Sequence, residues 1–143
     1  MIHAYTDGAC TKNPGGTGGW SFFFKDISTN SILAESSGYV ESTTSNRMEI
    51  LAVALAIITA PKLHINSFHI FSDSQYVINT LTKGWRRKAN TDLWAVIDHS
   101  ARHLDITYHW IKGHSNHPEN TYADQLAQTA SKLRISSTSL QHL

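Results

Sequence analysis

The sequence predicts an α/β fold, a mixed five-stranded sheet of three antiparallel strands followed by two parallel ones, flanked by helices. Three observations predict it. Three strand-like runs come first, joined by links short enough for a meander. Two further strand-like runs follow, each after helical sequence, and such β-α-β passages close right-handed with parallel neighbours. Two of the strand-like runs also end in aspartate, at the strand ends where open α/β sheets place their ligands.

The elements follow in order. Ile2 to Asp7 alternates and runs into Gly8 as the first strand. Asn13-Pro14-Gly15-Gly16 and Gly18-Gly19 form a turn-rich loop. Trp20 to Lys25, rich in aromatics, is the second strand, and Ile32 to Val40 is the third, after a turn over Asp26 to Ser31. Thr43, Thr44 and Ser45 offer caps for a helix over Asn46 to Ala60. Its stretch Ile50 to Ile58 is apolar nearly all round, the mark of a helix buried on most faces, and Pro61 helps end it. Ser67 to Asp73 is the fourth strand. Ser74 to Thr82 is a short helix with Gly84 as its stop. Asn90 or Thr91 caps another, reaching about His103, with Leu93, Trp94, Val96, Ile97 and Ala101 inward. Asp105 to Ile111 alternates as the fifth strand, and Pro118 starts a helix reaching about Leu133. The tail, rich in Ser and Thr from Ser136, is expected to fray. With 143 residues, the chain is expected to be one domain over residues 1–143, flexible from about residue 134.

Composition narrows the function. At 41% hydrophobic and 16% charged residues, the chain is globular rather than disordered or fibrous. A net charge of +1 is far from that of a dedicated nucleic-acid binder. The distribution says more, since Lys83, Arg86, Arg87 and Lys88 crowd around Trp85. That run reads equally as a solvated helix end. Cys10 is the only cysteine, which excludes an intrachain disulfide and a cysteine-based zinc site and fits a reducing compartment. No signal peptide is evident, and the apolar run Ile50 to Ile58 falls far short of the ~20 residues that span a bilayer. A cytoplasmic protein without a membrane partner is expected.

Four carboxylates carry the chemistry. Asp7 and Asp73 end strands, while Glu49 and Asp124 lie on helices. Together they suggest one acidic cluster for Mg²⁺ or Mn²⁺, cations that prefer hard oxygen ligands. Plainer readings exist for each alone. An aspartate can simply turn the chain, Glu49 follows Ser45 by four residues and Asn46 by three and so could serve the helix start, and Asp124 could be solvated. A zinc pair of His114 and His117 has no cysteine to support it. His117 reads as structural, tying the loop before Pro118, and Arg47 as a donor bracing a helix start.

The motifs Thr6-Asp7-Gly8 with Asn13-Pro14-Gly15, Thr43 to Glu49, Ser72-Asp73-Ser74-Gln75, Trp110-Ile111-Lys112-Gly113-His114 with His117-Pro118-Glu119-Asn120, and Ala123-Asp124 follow one another in order. The set resembles type 1 ribonuclease H over residues 2 to 133. The resemblance implies a ribonuclease H-like fold and endonucleolytic hydrolysis of the RNA strand of an RNA/DNA hybrid, largely sequence-independent, leaving 5′-phosphate and 3′-hydroxyl ends. It implies a metal tetrad of Asp7, Glu49, Asp73 and Asp124 holding two Mg²⁺, with Mn²⁺ as an alternative, and His114 as an auxiliary catalytic group. It places the RNA strand against Cys10, Lys12, Asn13, Ser45, Asn46 and Gln75. Thr44 falls in the pocket for a DNA phosphate, and Trp85, Arg86, Arg87 and Lys88 fall along the DNA backbone. One departure stands out. Many relatives carry a long basic protrusion where only Gly84 to Asn90 stands here, so weaker hybrid binding and a shallower salt dependence are expected. A monomer is expected, and Met1 with the complete motif set favours a free-standing enzyme.

Overall fold

The computed structural model describes residues 1–113 and 116–140. Strands β1 (Ile2–Cys10), β2 (Gly18–Asp26) and β3 (Ser31–Val40) form the meander, and helix α1 (Ser45–Thr59) follows. Then come β4 (Ser67–Ser72), α2 (Gln75–Lys83), α3 (Thr91–Ala101), β5 (Asp105–Trp110), α4 (Pro118–Leu133) and β6 (Ser137–Leu140). The sheet order is β5-β4-β1-β2-β3-β6. β1 pairs antiparallel with β2 and parallel with β4, and β4 runs parallel to β5.

β1 is therefore the strand at which sheet direction changes, and its register with β4 sets the site. Tyr5 lies opposite Phe71. Two residues further along stand Asp7, still within β1, and Asp73, just past the end of β4.

Helices pack on both faces. Thr44 caps α1, its Oγ1 accepting the Arg47 N–H at 3.2 Å. The all-round apolar sequence of α1 is buried as expected: Ile50, Val53 and Ile57 pack with Ala4, Phe22, Phe24 and Ile70 of the sheet. Val77 of α2 and Leu93, Trp94 and Ile97 of α3 complete that core. Each large apolar side chain buried there contributes about 1.5–3 kcal/mol. The other face packs Tyr5 and Phe23 against Ala123 of α4, with Phe71 and Tyr122 at its border. α4 lies unusually close to β2. The Ser21 hydroxyl donates to the Ala123 carbonyl at 2.6 Å, and a Cβ at Gly19 would fall 2.0 Å from the Ala127 carbonyl oxygen. Only glycine fits there.

Two expectations are corrected. The sheet has six strands, not five, because residues 137–140 pair antiparallel with β3 instead of fraying. β3 would otherwise leave a row of unpaired backbone groups, and the tail satisfies it. The Ser36 and Thr138 hydroxyls also meet at 2.9 Å. The first strand continues past Asp7 to Cys10, paired residue by residue with β2 as far as Gly18. No helix among the described residues is long and apolar enough to cross a membrane.

Candidate active site

Asp7 is 3% exposed, and its Oδ1 accepts the Gly8 N–H at 2.9 Å. Gly8 brings β1 and α1 into backbone contact: a Cβ there would lie 2.5 Å from the Glu49 nitrogen and the Met48 carbonyl carbon. This contact delivers Glu49 to Asp7. With Thr44 as the cap, Glu49 falls beyond the first helical turn, which holds no acidic residue. A role in capping the helix is thereby removed.

Asp73 follows β4 and is held from outside. Its carbonyl oxygen accepts the Trp110 Nε1–H at 3.1 Å, and the backbone of Gly113 comes so near that a Cβ there would sit 3.1 Å from Oδ2. One carboxylate oxygen each from Asp7, Glu49 and Asp73 can be chosen within 4.8 Å of one another. Asp124 joins them from α4 around a cavity of about 280 Å³, also lined by Gly8, Asn120 and Thr121.

The electrostatics are those of a site short of positive charge. Burial, above all, raises the Asp7 pKa; a hydrogen bond with Glu49 opposes the rise, and Asp73 and Asp124 add to it. Burial likewise holds the Glu49 pKa well above the carboxylate range, followed by the charges of Asp7 and Asp73. Asp7 Oδ2 and Glu49 Oε1 are shut off from solvent and accept no hydrogen bond among the described residues. Ionised carboxylates packed this way are costly unless a cation compensates them. The donors are all hard oxygens, so the residues present fit a divalent cation.

The remaining expected residues fall into two groups. Cys10 donates to the Lys12 carbonyl at 3.0 Å, and Asn13 Oδ1 accepts the Ser45 N–H at 3.2 Å, which ties the β1–β2 loop to the start of α1. Lys12, Asn13, Asn46 and Gln75 are exposed, and Thr44 and Ser45 partly so. Between α2 and α3, Trp85 is 48% exposed, and Arg86 and Lys88 are exposed. Arg87 turns inward, pairing with Asp98 at 2.6 Å and lying 5.2 Å from the Trp94 ring centre. His114 lies outside the described residues. His117 caps α4, its Nδ1 accepting the Asn120 N–H at 3.2 Å, as its structural reading requires.

Gly8, Trp110 and Asn120 were not singled out for the site by the sequence. Asn120 alone had a usable signal, its four-residue spacing from Asp124, which puts the two on one helix face.

A family model for RNase H matches residues 1–132. The chain belongs to the RNase H family. It is 38% identical to the "Ribonuclease H" of Ruegeria pomeroyi, with 92% of each chain covered. The N-terminal RNase H domain of a Mycobacterium tuberculosis protein, solved as a fusion with maltose binding protein, superposes with a TM-score of 0.84 at 25% identity, covering 93% of this chain and 94% of that one. LC11-RNase H1, solved in complex with an RNA/DNA hybrid, has the same fold, with a TM-score of 0.80 at 24% identity over 93% of this chain and 98% of that one. As a member of the RNase H family the chain is a hydrolase acting on nucleic acid. The family is metal-dependent, and this chain carries a carboxylate cluster that could hold a metal ion.

Proposed function

We propose that this chain is an endonuclease that hydrolyses the RNA strand of RNA/DNA hybrids, with two Mg²⁺ ions held by Asp7, Glu49, Asp73 and Asp124. The observation that carries the reading is the gathering of those four side chains around one cavity, three of them with oxygens within 4.8 Å, in a chain of the RNase H family. When bound there, two divalent ions would supply activation of a water and stabilisation of the leaving oxygen in an in-line displacement, which would give 5′-phosphate and 3′-hydroxyl ends.

The chain's own residues do the rest. Asp7, buried, and Glu49, half-buried with one oxygen shut off from solvent, are fixed through Gly8 and keep their oxygens in place before any ion arrives, so little reorganisation is needed on binding. The hydrogen bond from Trp110 to the Asp73 carbonyl fixes the backbone from which the third carboxylate projects. Asn13, Ser45, Asn46 and Gln75 present short polar groups beside the cluster, suited to the 2′-hydroxyls that distinguish an RNA strand in the minor groove. The backbone around Cys10 and Lys12 adds to that surface. Thr44, Trp85, Arg86 and Lys88 hold the DNA strand through phosphates and sugars, which positions the hybrid without reading sequence. Arg87 supports that loop from behind through Asp98. His114 moves a proton or helps product leave. Residues 1–143 act as one ribonuclease H domain, a monomer of the cytoplasm, in keeping with the single cysteine.

The test is a cleavage assay on a labelled RNA/DNA hybrid, an RNA duplex, a DNA duplex and single strands, with Mg²⁺, Mn²⁺ or chelator. Asp73→Asn, purified identically, controls for contaminating host enzyme. Metal-dependent cutting of RNA in the hybrid alone, lost in the variant, is expected. Hybrid binding without turnover would make the chain an idle binding module, and equal cutting of DNA would assign another substrate.

A further inference from the structure

Asn120 lies one helical turn before Asp124, and both line the cavity with Asp7, Glu49 and Asp73. Its backbone is pinned at the start of α4 by His117 and preceded by Pro118 at the first helical position, so the side chain issues from a fixed point. Asn120 is only 5% exposed, and its Oδ1 is sealed from solvent with no hydrogen-bond donor among the described residues. Native proteins rarely leave a buried amide oxygen in that condition without a functional cause. Asp7 and Glu49, each with one oxygen stranded in the same way, line the same cavity. Three residues around one space thus each carry a stranded oxygen, to which a ligand can bring donors.

We infer that Asn120 is a positioning residue of the metal site, its carboxamide oxygen accepting a hydrogen bond from a water in the hydration shell of the ion held by the carboxylates. The inference rests on the metal reading above and deepens it. Mg²⁺ gives up its waters reluctantly and keeps several when protein-bound, so its complex presents O–H donors to the stranded oxygens of the residues around the cavity. A carboxamide meets such a donor without adding a further charge to four crowded carboxylates. Outer partners of this kind typically govern 10–100-fold of metal affinity.

Titration calorimetry with Mg²⁺ on the parent protein, Asn120→Ala and Asn120→Asp tests it, together with thermal melts in chelator. The expected result is an Mg²⁺ affinity weakened about tenfold or more in Asn120→Ala. Its melting temperature in chelator should equal or exceed the parent's, because a stranded acceptor has been removed. Asn120→Asp keeps an oxygen in the same place at the same size, and should bind Mg²⁺ at least as tightly as the parent. It also preserves the test if the alanine variant fails to fold. A lower melting temperature in chelator with unchanged Mg²⁺ affinity would overturn the inference in favour of a purely structural asparagine. Equal weakening in both variants would overturn it as well. A parent protein that binds no Mg²⁺ would overturn the metal reading itself, and this inference with it.

Discussion

At Asp7 the needs of folding and of metal binding oppose each other. In the metal-free fold its carboxyl holds a proton more tightly than the unfolded chain does, because burial and the neighbouring Asp73 and Asp124 disfavour the charge. Below 3.8, the unfolded value, both states are protonated and nothing is lost. As pH rises from there through the raised folded value, the unfolded chain releases its proton first, and metal-free stability falls. Asp7→Asn, which cannot ionise, should therefore melt several degrees above the parent in chelator at about pH 9, at roughly 3–4 °C per kcal/mol for a chain of this length. The gap should narrow toward about pH 5. Mg²⁺ should raise the melting temperature of the parent more than that of the variant, and the variant should not cleave hybrid. A gap that does not change with pH would mean that Asp7 is not the strained group. Asp7 was legible in the sequence only together with Asp73, as one of two aspartates closing strand-like runs, and the structure sets it inside β1 rather than at its end. Gly8 and Trp110 were not. Their roles arise from contacts with Glu49 and Asp73, 41 and 37 residues away, which no local pattern encodes.

Among the elements, the start of α1 and the loop before α3 behave as one jaw. Arg47 reaches from α1 to Asp92 through two hydrogen bonds of 3.0 and 2.6 Å and to Asn90 at 3.2 Å. The guanidinium pulls the Asp92 carboxyl down to about 2. The brace joins the segment carrying Thr44, Ser45 and Asn46 to the loop carrying Trp85, Arg86 and Lys88. Asp92→Asn leaves the four carboxylates untouched but loosens the jaw. It should raise KM for hybrid about two- to fivefold, the scale of an exposed bidentate pair, with kcat nearly unchanged. A fall in kcat at constant KM would show that the brace acts on the metal site instead. The sequence identified Arg47 as a structural donor but not its partners, which lie 43 and 45 residues ahead. Periodicity located the helices and the first five strands to within a few residues. It missed β6, because Ser137 to Ser139 offers no apolar alternation and pairs only because β3 would otherwise be an open edge.

For the whole molecule the governing quantity is how few charges remain for the substrate. The net charge is +1, and of the four cations around Trp85 one is already spent, since Arg87 is held by Asp98 and the Trp94 ring. Lys83, Arg86 and Lys88 remain exposed there. Three phosphate contacts imply that the logarithm of hybrid affinity falls with the logarithm of salt concentration with a slope of about −3. Arg86→Ala and Lys88→Ala should each make that slope shallower by about one. Arg87→Ala should leave it nearly unchanged and lower the melting temperature instead, because it removes a packed ion pair rather than a phosphate contact. Binding should be measured in chelator, or on Asp73→Asn, so that cleavage does not intervene. A slope twice as steep would place further cations on the backbone, with Lys12 on the β1–β2 loop the first to examine. A slope lost on Arg87→Ala would mean that its pair with Asp98 opens when the hybrid binds.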